Sequence, residues 1–327
     1  MYKEQGNKTV ISNFAVVILT LVCATAAWIP AFVFPSEPLL TQGGGSLYRT
    51  FVPFLESNPL LSNSICLLIL LAMVGVQCWH SVQLRLVRTL SLLPALFILF
   101  FTGVLSSEHG ISPGIPAGIC IYIAFAQITS VCNTEESLWR SLEMGIFVAL
   151  ASLFAPTYLF YLPLFIIGMH LLNRLSAINL LGAIIGCCTP YILWMGFLYL
   201  TDQTNAIQYH GELLGQQFCI NWLWSMHDGI ILAIIGVGLL VSLLGFLHQH
   251  ADRIHPRIVA HFAFILAFGA LALSLLYHNA HHSITLILFS SLTLTQYYNY
   301  RSKKLTTVFF YTFIASLLFV YGTQFLS

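Results

Sequence analysis

Three groups in one short stretch of this 327-residue chain carry the strongest chemical potential. Glu37 and Glu56 stand near the two ends of the segment from Pro35 to Pro59, and Arg49 lies between them, with Tyr48 and Phe51 close by. A carboxylate held within about 3 Å of a hydroxyl can take its proton as a general base. A guanidinium offers a planar fork of donors that matches a phosphate. Glu108 and His109, and further on His210 and Glu212, add groups able to bind a polar substrate. Each has an ordinary reading beside the chemical one. Glu37 precedes Pro38 at a helix exit, where solvated glutamates are common. Glu56 sits before Asn58-Pro59, which reads as an N-cap followed by proline at the first helical position. Arg49 can pair with Glu56 or meet lipid headgroups. Glu108-His109 beside Gly110 has the look of a solvated turn. The run Tyr209-His210-Gly211-Glu212, with Trp222 and Trp224, fits a polar loop and an aromatic belt.

His278, His281 and His282 have a spacing that places three imidazoles on one helical face, enough for a metal by geometry. No carboxylate accompanies them, so they read as interfacial histidines at a helix end. His248, His250 and His255 with Asp252 make a weaker set. The eight cysteines fall mostly inside apolar runs and show no CxxC pair or zinc spacing, so they read as small core residues. No metal and no cofactor is expected.

The elements that must position these groups are set by composition. Hydrophobic residues make up 58% of the chain and charged residues 7%, with a mean hydropathy of +0.87. Soluble domains carry roughly 25% charge. Apolar runs near the length of a bilayer crossing recur from end to end, which predicts an all-α polytopic membrane protein and argues against alternating β-barrel strands. A formal net charge of +1 leaves no basic face for nucleic acid. The expected partners are membrane lipids, and the sequence names no protein partner. One integral membrane domain over residues 1–327 is expected, with about 11 transmembrane segments and a first apolar run retained as a helix.

One stretch decides the topology. Ser141 to Leu172 is too long for one crossing and short for two. Pro156 in its middle removes a backbone donor and disfavours a helical residue before it. A short hairpin turning at Ala155-Pro156, with the N-terminus inside and the C-terminus outside, puts 11 of the 12 lysines and arginines on the inner side. A single kinked crossing leaves five inside and seven outside. Basic residues collect on the cytoplasmic side, so the hairpin is the expected arrangement. It sets Glu37, Glu56, Glu108, Asp202, Glu212 and Asp228 on the outer side. His80, Arg85 and Arg88 are expected in an inner loop, and residues Ser46 to Leu55 in the membrane interface.

The run from Arg140 to Leu200 resembles the middle of GT-C type membrane glycosyltransferases. A basic residue, Arg140, precedes a Gly145-led, Ala- and Leu-rich short helix. A proline-bearing, aromatic-rich helix follows (Pro156, Tyr158, Phe160, Tyr161, Pro163), then a further helix expected to end near a proline, here Pro190. The resemblance covers roughly residues 13–200, and the chain is also similar to uncharacterised polytopic bacterial inner-membrane proteins. It implies about a dozen helices, an inside N-terminus, a long first outer loop and a polyprenyl-phosphate-linked sugar as donor in cell-envelope glycan assembly. If the chain is such an enzyme, Glu37 or Glu56 is the expected catalytic base, and Arg49, Glu108, His109, His210 and Glu212 are expected to bind substrate. Family members usually carry an acidic pair in the first loop, whereas Glu37 and Glu56 each stand singly here. A non-catalytic subunit of an envelope complex and a transporter are the alternatives.

Overall fold

The structure, a computed structural model, describes residues 13–33, 44–50, 58–87, 91–105, 110–130, 137–202, 226–247, 254–277, 280–300 and 304–323. Regular structure among these residues is helical, and no strand occurs among them. The helices are α1 (Asn13–Val33), α2 (Pro59–Gln83), α3 (Leu93–Val104), α4 (Gly114–Thr129), α5 (Ser137–Phe154), α6 (Tyr161–Leu171), α7 (Ala177–Leu200), α8 (Met226–Leu247), α9 (Ile254–Leu276), α10 (Ser283–Tyr300) and α11 (Lys304–Thr323). Single 3₁₀ turns, Pro156–Phe160 and Ala280–His282, precede α6 and α10.

Seven helices (α1, α2, α5, α7, α8, α9 and α11) are long and apolar enough to cross a membrane. They turn large apolar side chains outward, among them Leu68, Trp79, Ile192, Leu193 and Phe319, a surface suited to lipid and costly in water. The chain is a multi-pass helical membrane protein. The expected count of about eleven crossings meets two exceptions in kind. Helices α3, α4 and α6 are apolar but shorter, and α10 carries Ser, Thr and Gln throughout.

Helix α10 explains its own composition by its place. Each residue from Ser283 to Tyr298 is buried, and α3, α4, α8 and α9 pack around it. No face of that stretch meets lipid, so its hydroxyls can be satisfied by protein. The Gln77 amide donates to the Leu288 carbonyl at 2.7 Å and accepts from the Ser291 hydroxyl at 2.9 Å. Ser242 donates to the Thr293 carbonyl at 3.3 Å.

The stretch after Ser141 folds back. Asn179 at the start of α7 donates to Ser137 at the start of α5, and Tyr191 late in α7 meets Ser152 late in α5 at 2.5 Å. The two helices therefore run parallel, and the chain between them must return from the far end of α5. Three glycines allow the close pairing. A Cβ on Gly145 would lie 2.1 Å from the Ala183 carbonyl oxygen, and one on Gly186 would lie 2.1 Å from that of Leu142. Small residues of this kind let membrane helices approach backbone to backbone. Gly182 faces Leu138 in the same seam. At the far end Ala155 takes an extended conformation (φ −144°, ψ 111°) and Pro156 opens the 3₁₀ turn. Helix α6 then descends beside α9, with Leu164 at Gly269 and Phe165 against Phe262.

Two local expectations change, and a third, the helix start at Asn58-Pro59, holds in position. His80 lies inside α2 rather than in a solvated loop; it is buried, with Nδ1 3.0 Å from the Tyr122 hydroxyl. Asn58 takes the N-cap position and Pro59 begins the helix, but Asn58 makes no side-chain cap hydrogen bond. Tyr48, expected in the interface, is buried and donates to the Ile111 carbonyl at 2.6 Å. Protein contacts at this residue replace the headgroup contacts that its aromatic character alone suggests.

Candidate functional site

The fold-back tip gathers one end of the bundle. The Gly45 N–H donates to the Phe154 carbonyl at 2.7 Å. The Trp194 indole donates to the Ser46 hydroxyl at 2.8 Å. From residue 46 the chain turns into a helical segment, residues 46–50, which carries Tyr48 into the protein and leaves Arg49 exposed. The Ile111 N–H bonds the Ser62 hydroxyl at 3.0 Å, and the Asn63 amide donates to the Ala31 carbonyl at 2.8 Å. The end of α1, the start of α2, the start of α4, the late part of α7 and the 3₁₀ turn before α10 thus meet at one pole, the tip pole.

Of the residues expected to act as base or to bind substrate, only Arg49 lies among those described. Glu37, Glu56, Glu108, His109, His210 and Glu212 lie outside the described residues. The described residues that border their segments (Val33 and Gly44, Thr50 and Asn58, Leu105 and Gly110) belong to elements that converge at the tip pole. Asp202 ends the turn after α7, with φ at +57°.

Beneath the tip lies a polar and aromatic cluster. Tyr158 is fully buried, donates to the His281 carbonyl and accepts from the Thr285 hydroxyl at 3.1 Å. His282 is also fully buried. Its ring stacks on Tyr158 with centroids 4.7 Å apart, with Tyr161 at 5.7 Å and Tyr277 at 6.3 Å. Neither ring nitrogen of His282 has a hydrogen-bond partner among the described residues. Burial, with His281 beside it, pushes the imidazole down to about 3, because a charged ring would lose its hydration. The half-exposed pair Phe160 and Tyr277 stacks at 5.7 Å and 13° on the outer side of this cluster.

His281 and His282 are therefore core residues, where interfacial histidines were expected. His278 lies outside the described residues. No group of three potential metal ligands occurs among the described residues. The signal that could have found the cluster is the Ser/Thr-rich helix that follows it. A helix too polar for lipid must be enclosed, and the histidines at its start are enclosed with it.

A family described as Family of unknown function (DUF6427) matches residues 47–325. The chain belongs to this family. No curated protein and no solved structure matches it. The DUF6427 match takes in the helical segment that bears Arg49, the fold-back and the cluster around His282, so all three lie in the part of the chain shared with the family.

Opposite the tip, Arg140 pairs with Glu143 at 3.1 Å and donates to the Gln127 side chain. Asn179 also holds the Arg174 carbonyl at 2.7 Å. These contacts tie α4, α5 and α7 together and account for both charges of the Arg140–Glu143 pair as structural.

Proposed function

We propose that the protein is a GT-C-like membrane enzyme that transfers a sugar from a polyprenyl-phosphate donor at the outer face of a bacterial cytoplasmic membrane. The observation that carries this reading is the docking of the first long connection on the fold-back through Gly45 and Phe154. It holds Arg49 at the rim of the pole from which the segments bearing Glu37, Glu56, Glu108 and Glu212 depart. With the tip outside, eleven of the twelve lysines and arginines belong to the inner side, in keeping with the usual bias of basic residues.

The chemistry follows from the residue types. A carboxylate of the first connection, Glu37 or Glu56, takes the proton from an acceptor hydroxyl. The freed oxygen attacks the anomeric carbon, a new C–O bond forms, and the bond from that carbon to the phosphate oxygen breaks. The polyprenyl phosphate leaves with the electron pair, and the Arg49 guanidinium offsets its growing charge. Replacing Glu37 and Glu56 separately by Gln, and following envelope glycans by mass spectrometry, tests the assignment. Loss of one glycan in either variant supports it; unchanged glycans in both remove these residues as the base.

A transporter is a second reading, favoured by the neutral polar groups inside the bundle: Gln77, Ser242, Ser291 and Thr293 around α10. Uptake of a labelled solute into proteoliposomes, lost on Gln77→Leu, would favour it over transfer chemistry.

A further inference from the structure

A buried imidazole with both nitrogens unpartnered asks for an explanation, because such groups are costly in a low-dielectric interior. His282 makes no compensating hydrogen bond among the described residues, yet it is packed on three tyrosine rings. Its surroundings divide into two layers. The inner layer is fixed: the Tyr158 hydroxyl is engaged by Thr285 and by the His281 carbonyl, and a Cβ on Gly114 would strike that same carbonyl at 2.3 Å. Among the described residues the outer layer includes the stacked aromatic pair Phe160 and Tyr277, both half-exposed. Tyr277 follows the last residue of α9, and Phe160 stands at the joint where the 3₁₀ turn passes directly into α6. Element ends are where side chains swing at least cost to the core.

We propose that Phe160 and Tyr277 form a lid over a binding site for a neutral, hydroxyl-bearing ring, a glycosyl unit by class. The proposal rests on the sugar-transfer reading above and names the sugar subsite of that pole. When the lid opens, one nitrogen of the neutral His282 ring donates to a ligand hydroxyl and the other accepts from one. The faces of Tyr158 and Tyr161 provide the flat apolar wall that a sugar ring presses against. Among the described residues the cluster holds two imidazoles, His281 and His282, three phenols and no carboxylate, ammonium or guanidinium group, so it selects for an uncharged group. A phosphate attached to the sugar stays outside, toward Arg49.

The test uses the full-length protein in detergent, with free N-acetylglucosamine and the same sugar linked to undecaprenyl phosphate as probes. Saturation-transfer NMR reads the free sugar, and a thermal-shift assay reads the lipid-linked one. Wild-type protein should bind at least one form. Tyr277→Ala and Phe160→Ala, both at half-exposed positions, should tighten apparent binding several-fold, because the cost of opening the lid is removed. His282→Phe, which keeps a stacked ring and removes both nitrogens, should weaken binding about tenfold or more. Binding of the free form alone assigns the subsite to an acceptor, and binding of the linked form alone assigns it to the donor. Absence of binding in wild type and both lid variants overturns the proposal, as does full affinity in a folded His282→Phe protein. Glu37→Gln and Glu56→Gln should bind sugar like wild type. Retained binding with unchanged glycans in those two variants would therefore overturn the named base and leave the subsite standing.

Discussion

The Gly45 N–H and the Phe154 carbonyl, 2.7 Å apart, join the first long connection to the last residue of α5. The joint requires glycine. A Cβ at position 45 would lie 2.2 Å from the Leu153 carbonyl oxygen, and a backbone atom cannot swing aside as a side-chain tip can. Gly45→Ala should displace residues 44–50 from the tip, at a cost of about 1–3 kcal/mol as for other overpacked sites. Thermal unfolding in detergent checks the stability. Loss of the glycan product that depends on Glu37 or Glu56 checks the position of Arg49.

The seam between α5 and α7 makes a second prediction with its own control. Gly145→Leu and Gly186→Leu should each force the helices apart and lower the yield of folded protein severalfold. Gly196→Leu, on the same α7 but with nothing within 4 Å of its would-be Cβ, should fold like wild type. Size-exclusion profiles of the three variants make the comparison. Equal behaviour of all three would contradict the parallel pairing.

The break at Ala155-Pro156 was legible in the sequence because proline acts locally: it removes a donor and restrains the residue before it. The direction of the return was legible only through the count of basic residues, which is a property of the whole chain. The burial of His80 and of His281-His282 was not legible, since a histidine near the end of an apolar run looks the same whether water or a tyrosine lies beside it. Tyr48 misled for the same reason. The parts that escaped the sequence are set by which elements meet, and no local periodicity reports that.

Acid should weaken the fold through His282. Its imidazole titrates at about 3 in the fold and at about 6.5 when unfolded. The unfolded chain therefore binds the extra proton first. The contribution of this residue is full above about pH 6.5 and declines as pH falls toward 3. Among the described residues the groups facing it are Tyr158, Tyr161, Tyr277 and His281, none of them a carboxylate that could hold the charge. Melting temperatures measured in detergent from about pH 7.5 down to about pH 5 should fall for wild type and fall less steeply for His282→Phe.

Orientation is open to a direct check with a membrane-impermeant thiol reagent on intact cells. Asp202→Cys, in the turn after α7, should label from outside. Asn173→Cys, in the turn after α6 with its positive φ of 54°, should label only after the membrane is opened. The reverse pattern would invert the bundle and overturn the proposed placement of Arg49 at the outer face.

The enclosure of α10 bears on how the protein is made. A segment holding Ser290, Ser291, Thr293, Thr295 and Gln296 gains little by entering lipid alone. Its neighbours α3, α4, α8 and α9 all precede it in the chain, so its seat is synthesised before it emerges. Insertion of this helix is then a docking step between protein surfaces. A truncation that removes α8 and α9 should leave residues 283–300 on the wrong side of the membrane, or in the hands of the quality-control machinery.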